Sequence, residues 1–268
     1  MTPDPFRDLC RFVGLLSDHV PFRFVRFSDG EMEIIRNQRL EITATHLNWR
    51  KGSIPHKLPP YDVKRFDPAT DEGFREDLLG TAHYRAVRFF KGLPTSHNNA
   101  VIDRDLLIEM NGGFDSYLTF ADLLINSNYR MFMNVLFPVI RERSDVFIVG
   151  NHRMKPELAR ETWKLLPVPD NFFADYGRVK RNLVEDLVNL PSGALVLSSA
   201  SSLSNVLGHV VDVRRRDLTF LDIGTALHGS LGLDPATRDY HVEGQPWTLR
   251  NATEKLRYRR SSHYRIRW

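Results

Sequence analysis

Short apolar runs alternate with amphipathic stretches along most of the chain. PFRFVRFS (21–28) alternates phenylalanine with arginine as a strand does, and continuous apolar runs occur later at 145–150, 193–200 and 218–224. Runs that are apolar throughout are typical of parallel strands covered by helices on both faces. Helical periodicity predicts helices over 3–19, from Asp29 onward, and over 71–91, 129–143, 155–165, 178–190 and 202–213. The pattern therefore predicts an α/β fold with a mostly parallel sheet and helices on both faces.

The remaining segments interrupt this alternation. Residues 44–69 are rich in His, Pro, Lys and Asn without a period, which predicts a long loop, and NNAVID (98–103) predicts a short strand. We expect a single domain over 1–240, in which 112–128 is the most suitable place for a sub-domain break. A separate basic, aromatic tail follows at 241–268.

The composition is that of a globular protein. The 268 residues are 42% hydrophobic and 26% charged, and the net charge is +4. No apolar run approaches the roughly 18 residues of a membrane-spanning helix, and the N-terminus lacks the features of a signal peptide. Cys10 is the only cysteine, which excludes an internal disulfide and a multi-cysteine zinc site. We expect a cytoplasmic protein with Cys10 buried on the apolar face of the first helix.

The segment FSDGE (27–31) ends the first predicted strand and begins the next helix. Gly30 permits a sharp turn, and Asp29 and Glu31 bring two carboxylates to one strand end. Carboxylate oxygens suit a hard divalent cation that keeps substrate phosphates in its other positions. Helix capping, with Asp29 as the N-cap and Glu31 in the first turn, explains the same pattern, and local pattern alone favours capping.

Two further strand ends carry candidate residues. In SSASSLSN (198–205), small residues at the start of a helix allow backbone N–H groups to approach a phosphate, although an ordinary strand-to-helix turn fits equally well. In LDIGTALHGSLG (221–232), Asp222 could complete a metal or ribose site. His228 could contact phosphate or metal, but a lone histidine is more often structural. Ligands bind at the carboxyl ends of parallel strands, where all of these segments lie.

The order of three segments resembles the GT-D class of glycosyltransferases, first described as a bacterial domain of unknown function. The segments are VRFSDGEMEII (25–35), LVLSSASSLSNVLGHVV (195–211) and TFLDIGTALHG (219–229). They correspond to the family's FGDGE-like segment, its small-residue turn before a helix, and its strand ending in DIG. Order and approximate spacing match across nearly the whole chain. Ser28 replaces the usual glycine, and Thr225 stands where many relatives have a histidine, for which His228 is the candidate substitute.

The resemblance implies a Rossmann-like fold, a nucleotide-sugar donor (commonly a UDP-sugar) and a Mn²⁺ or Mg²⁺ ion. The family's Asp-X-Glu motif falls on Asp29 and Glu31, which would serve the metal and the donor diphosphate, with His228 as a third metal candidate. Arg26 is positioned to offer a forked donor to phosphate or sugar. The other donor-site candidates are Ser28, Gly30, Ser199, Ser201, Ser202, Gly224 and Thr225. A base is needed if the reaction inverts, and the candidates are Asp222 and Glu33.

The C-terminal tail suggests a surface partner. EKLRYRRSSHYRIRW (254–268) interleaves basic residues with Tyr258, Tyr264 and Trp268. This composition suits an anionic membrane surface, a nucleic acid, or a solvated or oligomer-contacting tail. Because many bacterial glycosyltransferases use lipid-linked acceptors, we favour peripheral contact with the inner membrane face over nucleic acid. Trp49, flanked by polar residues in the 45–57 loop, fits either a lid over the donor or acceptor or simple surface packing.

Three functions remain open from the sequence. A metal-dependent glycosyltransferase, acting on a glycan, glycoprotein or lipid-linked acceptor in cell-surface polysaccharide synthesis, ranks first. A sugar-phosphate-binding or isomerase domain that uses the serine-rich turn at 198–205 ranks second, and a non-enzymatic nucleic-acid binder built on the tail ranks third. A homodimer is also an expectation, because such domains often pair.

Overall fold

The computed structural model describes residues 4–43, 45–47, 55–57, 59–95, 99–234 and 239–241. The described strands are β1 (Arg23–Arg26), β2 (Leu40–Ile42), β3 (Thr45–Leu47), β4 (Pro55–Lys57), β5 (Lys64–Phe66), β6 (Phe89–Leu93), β7 (Leu118–Phe120), β8 (Val146–Asn151), β9 (Lys164–Val168), β10 (Leu195–Ser199) and β11 (Thr219–Asp222). Seven of them form one sheet in the order β7-β6-β1-β11-β10-β8-β9, in which every neighbouring pair is parallel.

Helices cover both faces of this sheet. The described helices are α1 (Pro5–Ser17), α2 (Asp29–Ile35), α3 (Glu72–His83), α4 (Ala100–Met110), α5 (Tyr129–Met131), α6 (Phe137–Glu142), α7 (Tyr176–Val188) and α8 (Leu203–Arg214), and a π-helical segment (Phe132–Leu136) joins α5 to α6. Alternate strand residues point into two apolar cores. α2, α3, α4, α7 and α8 pack on one core, and α1, the π segment and α6 pack on the other. The predicted α/β class, with a parallel sheet between two helical layers, is confirmed.

The middle of the chain differs from the prediction. The helix predicted over 71–91 ends at His83, and 89–93 is the strand β6 instead. The strand predicted over 98–103 is wrong, because Ala100 begins α4. Val101 and Ile102 have high strand propensity, but both side chains are exposed on the first turn of that helix. Strand propensity applies to residues on a half-buried sheet surface, so it misled the prediction at these two positions.

Two other segments also differ. The helix predicted over 155–165 is wrong, because the chain forms a short 3-10 turn and then the strand β9. β9 contains Pro167, which a strand at the edge of a sheet tolerates. The loop predicted over 44–69 contains the short antiparallel pair β3 with β4 and the strand β5, which pairs with β2 just before the loop, and these strands are too short to show a period. Trp49 lies outside the described residues.

Smaller corrections concern single residues. Cys10 is exposed and is not the buried thiol that we expected. Ser28, rather than Asp29, is the N-cap of α2. The segment 112–128 contributes β7 to the same sheet as the rest of the domain. The tail at 254–268 lies outside the described residues, and within the described ones no helix is both long and apolar enough to cross a membrane.

The topology brings the first and last of the described strands together at the centre of the sheet. β1 pairs with β6 on one side and with β11 on the other, although β11 is the last strand in the described part of the chain. After β1 the chain continues to β6 and β7 on one side of this junction, whereas β11 is reached from β10 on the other side. In parallel sheets such a switch point opens a crevice at the carboxyl ends of the strands, and this is where ligands bind.

Candidate functional site

The turn after β1 places both predicted carboxylates at this crevice. The Ser28 N–H donates to Oε2 of Glu31 at 2.9 Å, and the Gly30 N–H donates to Oδ1 of Asp29 at 3.0 Å. Glu31 is buried and Asp29 is exposed. Helix capping is therefore present, but it joins Glu31 to the Ser28 N-cap and does not use Asp29 as the cap. The Asp29 carboxylate nevertheless faces solvent at the end of the central strand.

The strand end of β11 holds Arg26 in a fixed position. Nε of Arg26 lies 3.5 Å from Oδ2 of Asp222, and the other oxygen of Asp222 accepts the Gly224 N–H at 2.9 Å. A Cβ on Gly224 would lie 2.6 Å from Nη1 of Arg26, so the guanidinium rests directly on the glycine backbone. Nη1 is buried without a hydrogen-bond partner among the described residues. The arrangement leaves a strong donor available for an anion.

The serine-rich turn follows the next strand of the sheet, β10. Oγ of Ser198 and Oγ of Ser204 lie 2.8 Å apart, and Oγ of Ser204 also accepts the Ala200 N–H at 3.2 Å, so the strand end is tied to the start of α8. Ser201 has a positive φ of 54°, in the left-handed region that is costly for a residue with a Cβ. Ser202 is the buried N-cap of α8. The turn thus presents the N-terminus of a twelve-residue helix at the crevice.

Asn205 connects the serine-rich turn to β1, and the sequence did not single it out. It is fully buried on α8, and its Nδ2 donates to the main-chain oxygen of Arg26 at 2.8 Å. Its Oδ1 is buried and has no hydrogen-bond partner within the described ranges. No local pattern marked this residue, because its partner is 179 positions away in the sequence. The serine turn and Arg26 are therefore parts of one hydrogen-bonded unit.

His228 and Thr225 lie on the side of the crevice near β10. Nε2 of His228 is 3.1 Å from Oγ of Ser199, and the ring meets Tyr61 edge to face. Thr225 is hydrogen-bonded to the Tyr240 hydroxyl, and its main-chain oxygen lies 2.8 Å from Nε2 of His241. His228 thus interacts with the serine turn, which fits a phosphate contact better than a place beside Asp29.

Electrostatics favour a cation beside the first turn. Burial is the main cause that raises the pKa of Glu31 to about 7, and the neighbouring Asp222 and Asp29 carboxylates act in the same direction. Burial also raises the pKa of Asp222, although Arg26 lowers it. One guanidinium therefore faces several carboxylates, and a bound cation would relieve their repulsion.

A further buried carboxylate, that of Asp122, stands beyond β7 at the same edge of the sheet. Sequence reasoning missed it because 112–128 resembled a connection, and β7 has only three residues. Asp122 is buried. Its pKa is raised to about 6 by burial, against hydrogen bonds from Thr95 and Ser127 and the nearby charge of Arg26.

The predicted three-residue metal set is not assembled. Among the described residues, no three side chains of His, Cys, Asp or Glu come together in a way that could hold a metal ion. The reason is that the His228 ring is engaged by Ser199, one strand beyond β11. Asp29 and Glu31 still offer the oxygen donors that Mg²⁺ and Mn²⁺ accept when substrate phosphates complete the coordination. The residues present fit a metal held jointly with a diphosphate.

Comparisons with known proteins give a single type of match. No family model matches the chain, and no curated protein is similar to it. Two solved structures are similar: a highly conserved domain of unknown function 1792, described as having a distinct glycosyltransferase fold, and its selenomethionine-substituted form. Each has 15% sequence identity and a TM-score of 0.49, and the match covers 84% of this chain and 81% of the other. A similarity at this level carries no argument about the reaction, which has to come from the site.

Proposed function

We propose that the protein is a metal-dependent glycosyltransferase that takes a sugar from a nucleotide-sugar donor, with a UDP-sugar as the first expectation. The observation that supports this most directly is the meeting of two features at the switch point. The carboxylates of Asp29 and Glu31 follow β1 directly. Arg26, the last residue of β1, lies near Glu31 and is held by Asp222 and by the Gly224 backbone. Carboxylates for a cation beside a donor for phosphate suit a nucleoside diphosphate.

Each part of the site has a role in this reaction. Asp29 and Glu31 would hold the cation, which when bound supplies neutralisation of the charge that develops on the leaving diphosphate. Arg26 donates hydrogen bonds to the same phosphates, and the N-terminus of α8 adds the dipole of a helix. Asp222 orients Arg26, because one of its oxygens meets Nε and the other accepts the Gly224 N–H.

The proposed acceptor follows from the sequence and not from the geometry of the site. The sequence resemblance favours a glycan, glycoprotein or lipid-linked acceptor, and the basic tail fits peripheral contact with the inner membrane face. A cytoplasmic protein would meet such an acceptor at that surface. These assignments, like the pairing into a homodimer, rest on sequence.

The test separates metal binding from helix capping at the same two residues. Titration calorimetry would measure UDP binding with Mn²⁺ and then with EDTA, for the wild type and for Asp29→Asn and Glu31→Gln. Glutamine can keep the hydrogen bond from the Ser28 N–H, so Glu31→Gln removes charge and preserves the cap. We expect metal-dependent UDP affinity to fall by about tenfold or more in both variants, at an unchanged melting temperature.

The control removes a carboxylate elsewhere. Glu76 is exposed on α3, so Glu76→Gln should bind UDP as the wild type does. UDP binding that is indifferent to EDTA and to both substitutions would refute the metal-dependent transferase. It would return attention to a metal-free sugar-phosphate site at the serine turn.

A further inference from the structure

The chemical groups at the carboxyl edge of the sheet differ between the two sides of β1. Three groups there are suited to phosphate: Arg26, which is the last residue of β1, and the serine-rich turn and the N-terminus of α8, which both follow β10. On the other side of β1, the described residues after β6 are Pro94 and Thr95, which carry no charge. Asp122, after β7, is the next carboxylate along this edge. A donor with its diphosphate at β1 and β11 would therefore place its sugar toward β6 and Asp122.

The backbone around Asp122 is drawn tightly onto β6. The Ala121 N–H donates to the Leu93 main-chain oxygen at 2.8 Å, so the pairing with β6 continues to the residue before Asp122. Gly92 makes this approach possible, because a Cβ there would lie 2.8 Å from the Cα of Ala121. With strands about 4.8 Å apart, Asp122 stands about 10 Å from the end of β1. That distance is of the order of one sugar ring with its substituents.

The carboxylate itself is oriented by hydrogen bonds from its own loop and from Thr95, which follows β6. Oγ of Ser127 lies 3.4 Å from Oδ2 of Asp122, and Nδ2 of Asn128 donates to the Asp122 main-chain oxygen at 3.0 Å. Asp122 makes no salt bridge with any residue in the described part of the chain. A buried acid without an ion pair has a pKa near neutrality, as the base in a proton transfer requires.

The alternative bases are less suitable. Both oxygens of Asp222 are occupied by Arg26 and the Gly224 N–H. Glu33 lies on α2, two residues beyond the capping Glu31 and on another face of the helix, since successive helical residues are about 100° apart. Of these three candidates, only Asp122 combines a strand-end position with a carboxylate that makes no ion pair in the described part of the chain.

We propose that Asp122 is the catalytic base on the acceptor side of the site, an inference that rests on the proposed transferase function. The acceptor oxygen forms a bond to the anomeric carbon while the bond from that carbon to the phosphate oxygen breaks. The electron pair of the broken bond leaves with the diphosphate, and the acceptor proton passes to the carboxylate of Asp122 and then to solvent. Because the hydroxyl attacks opposite the leaving group, the anomeric configuration of the product is inverted.

The test uses water as the acceptor, so that no native acceptor is needed. UDP release from UDP-glucose, UDP-galactose and UDP-N-acetylglucosamine would be measured with Mn²⁺ for the wild type, for Asp122→Asn and for Asp105→Asn, an exposed acid on α4. We expect release to fall by about 100-fold or more in Asp122→Asn, with UDP affinity unchanged by calorimetry, and to be normal in Asp105→Asn. Formate added to Asp122→Ala should restore release, because it supplies a carboxylate to the vacated space.

The outcomes distinguish the two proposals. A wild type that binds no UDP refutes the transferase function, and the inference falls with it. A wild type that binds UDP but releases none from these donors refutes the base alone, because a base beside the anomeric carbon would activate water. Wild-type release in Asp122→Asn also refutes the base, as does a parallel loss of UDP affinity, which would make Asp122 part of the donor site.

Discussion

Gly224 gives the sharpest way to disturb Arg26 without touching any charged group. A methyl group there would lie 2.6 Å from Nη1 and 2.8 Å from Cζ of Arg26, so the guanidinium must move. Gly224 also has a φ of +51°, where alanine costs about 1–2 kcal/mol. Gly224→Ala therefore combines backbone strain with the displacement of one side chain.

Gly193 separates these two effects. Its φ is +79°, and a Cβ there would meet nothing within 4 Å. Gly193→Ala should therefore carry the backbone cost alone. For a protein of this size, about 1 kcal/mol corresponds to a fall in melting temperature of about 2–4 °C, and we expect falls of this order in both variants.

Ligand affinity should distinguish the variants where stability does not. A hydrogen bond to a charged group contributes about 1.5–3 kcal/mol, so losing the contact between Arg26 and phosphate should weaken UDP binding by about 10- to 100-fold in Gly224→Ala. Gly193→Ala should bind as the wild type does. Calorimetry with UDP and Mn²⁺, beside thermal unfolding of both variants, measures the two quantities. Equal UDP affinity in the two variants would show that Arg26 does not contact the donor.

Two further predictions concern stability. Gly208 lets α8 lie close to β1, because a Cβ there would come within 2.4 Å of Cγ1 of Val25, so Gly208→Ala should lower the free energy of unfolding in urea by about 1–3 kcal/mol. The control Gly80→Ala lies in open space on α3 and should raise the free energy of unfolding by about 0.5–1 kcal/mol. A Gly208→Ala variant more stable than the wild type would contradict this packing. Burial lowers the pKa of Lys91 to about 7, and its Nζ donates to the Ala82 main-chain oxygen. Between pH 7 and 10 the unfolded chain then binds more protons, so stability rises with pH. Between pH 7.5 and 9.5 the free energy of unfolding of the wild type should rise by on the order of 1–2 kcal/mol relative to that of Lys91→Met. Parallel pH profiles of the two proteins would contradict this prediction.

The sequence predicted those parts of the fold whose signals are local. β10 and β11 begin with buried, mainly apolar residues because both of their faces are covered, and the turn at 27–31 was found from two carboxylates one residue apart. β6 was missed because Lys91 and Gly92 interrupt a short strand. The buried Lys91 is tolerated there because it donates to the main-chain oxygen of Ala82 at the end of α3, a tertiary contact that no local pattern records.

The site was predictable to a similar extent. Asp29, Glu31, Asp222 and the serine-rich turn were found because each follows a strong strand signal. Asp122 could have been found only by recognising β7, whose three residues carry too little pattern. The partner of His228 depended on which strand lies next to β11, and strand order is set by packing of the whole chain rather than by any segment of it.

The hydrogen bond from Asn205 to the main-chain oxygen of Arg26 has a thermodynamic consequence. It fixes the helix that presents the serine turn to the strand that presents the guanidinium, so both are ordered when the chain folds. The conformational entropy of assembling this half of the site is then lost in folding and not again when a ligand arrives. The site is therefore preorganised for an anion. The free energy of anion binding would include the contacts that the anion makes and only a small entropic cost of ordering the protein.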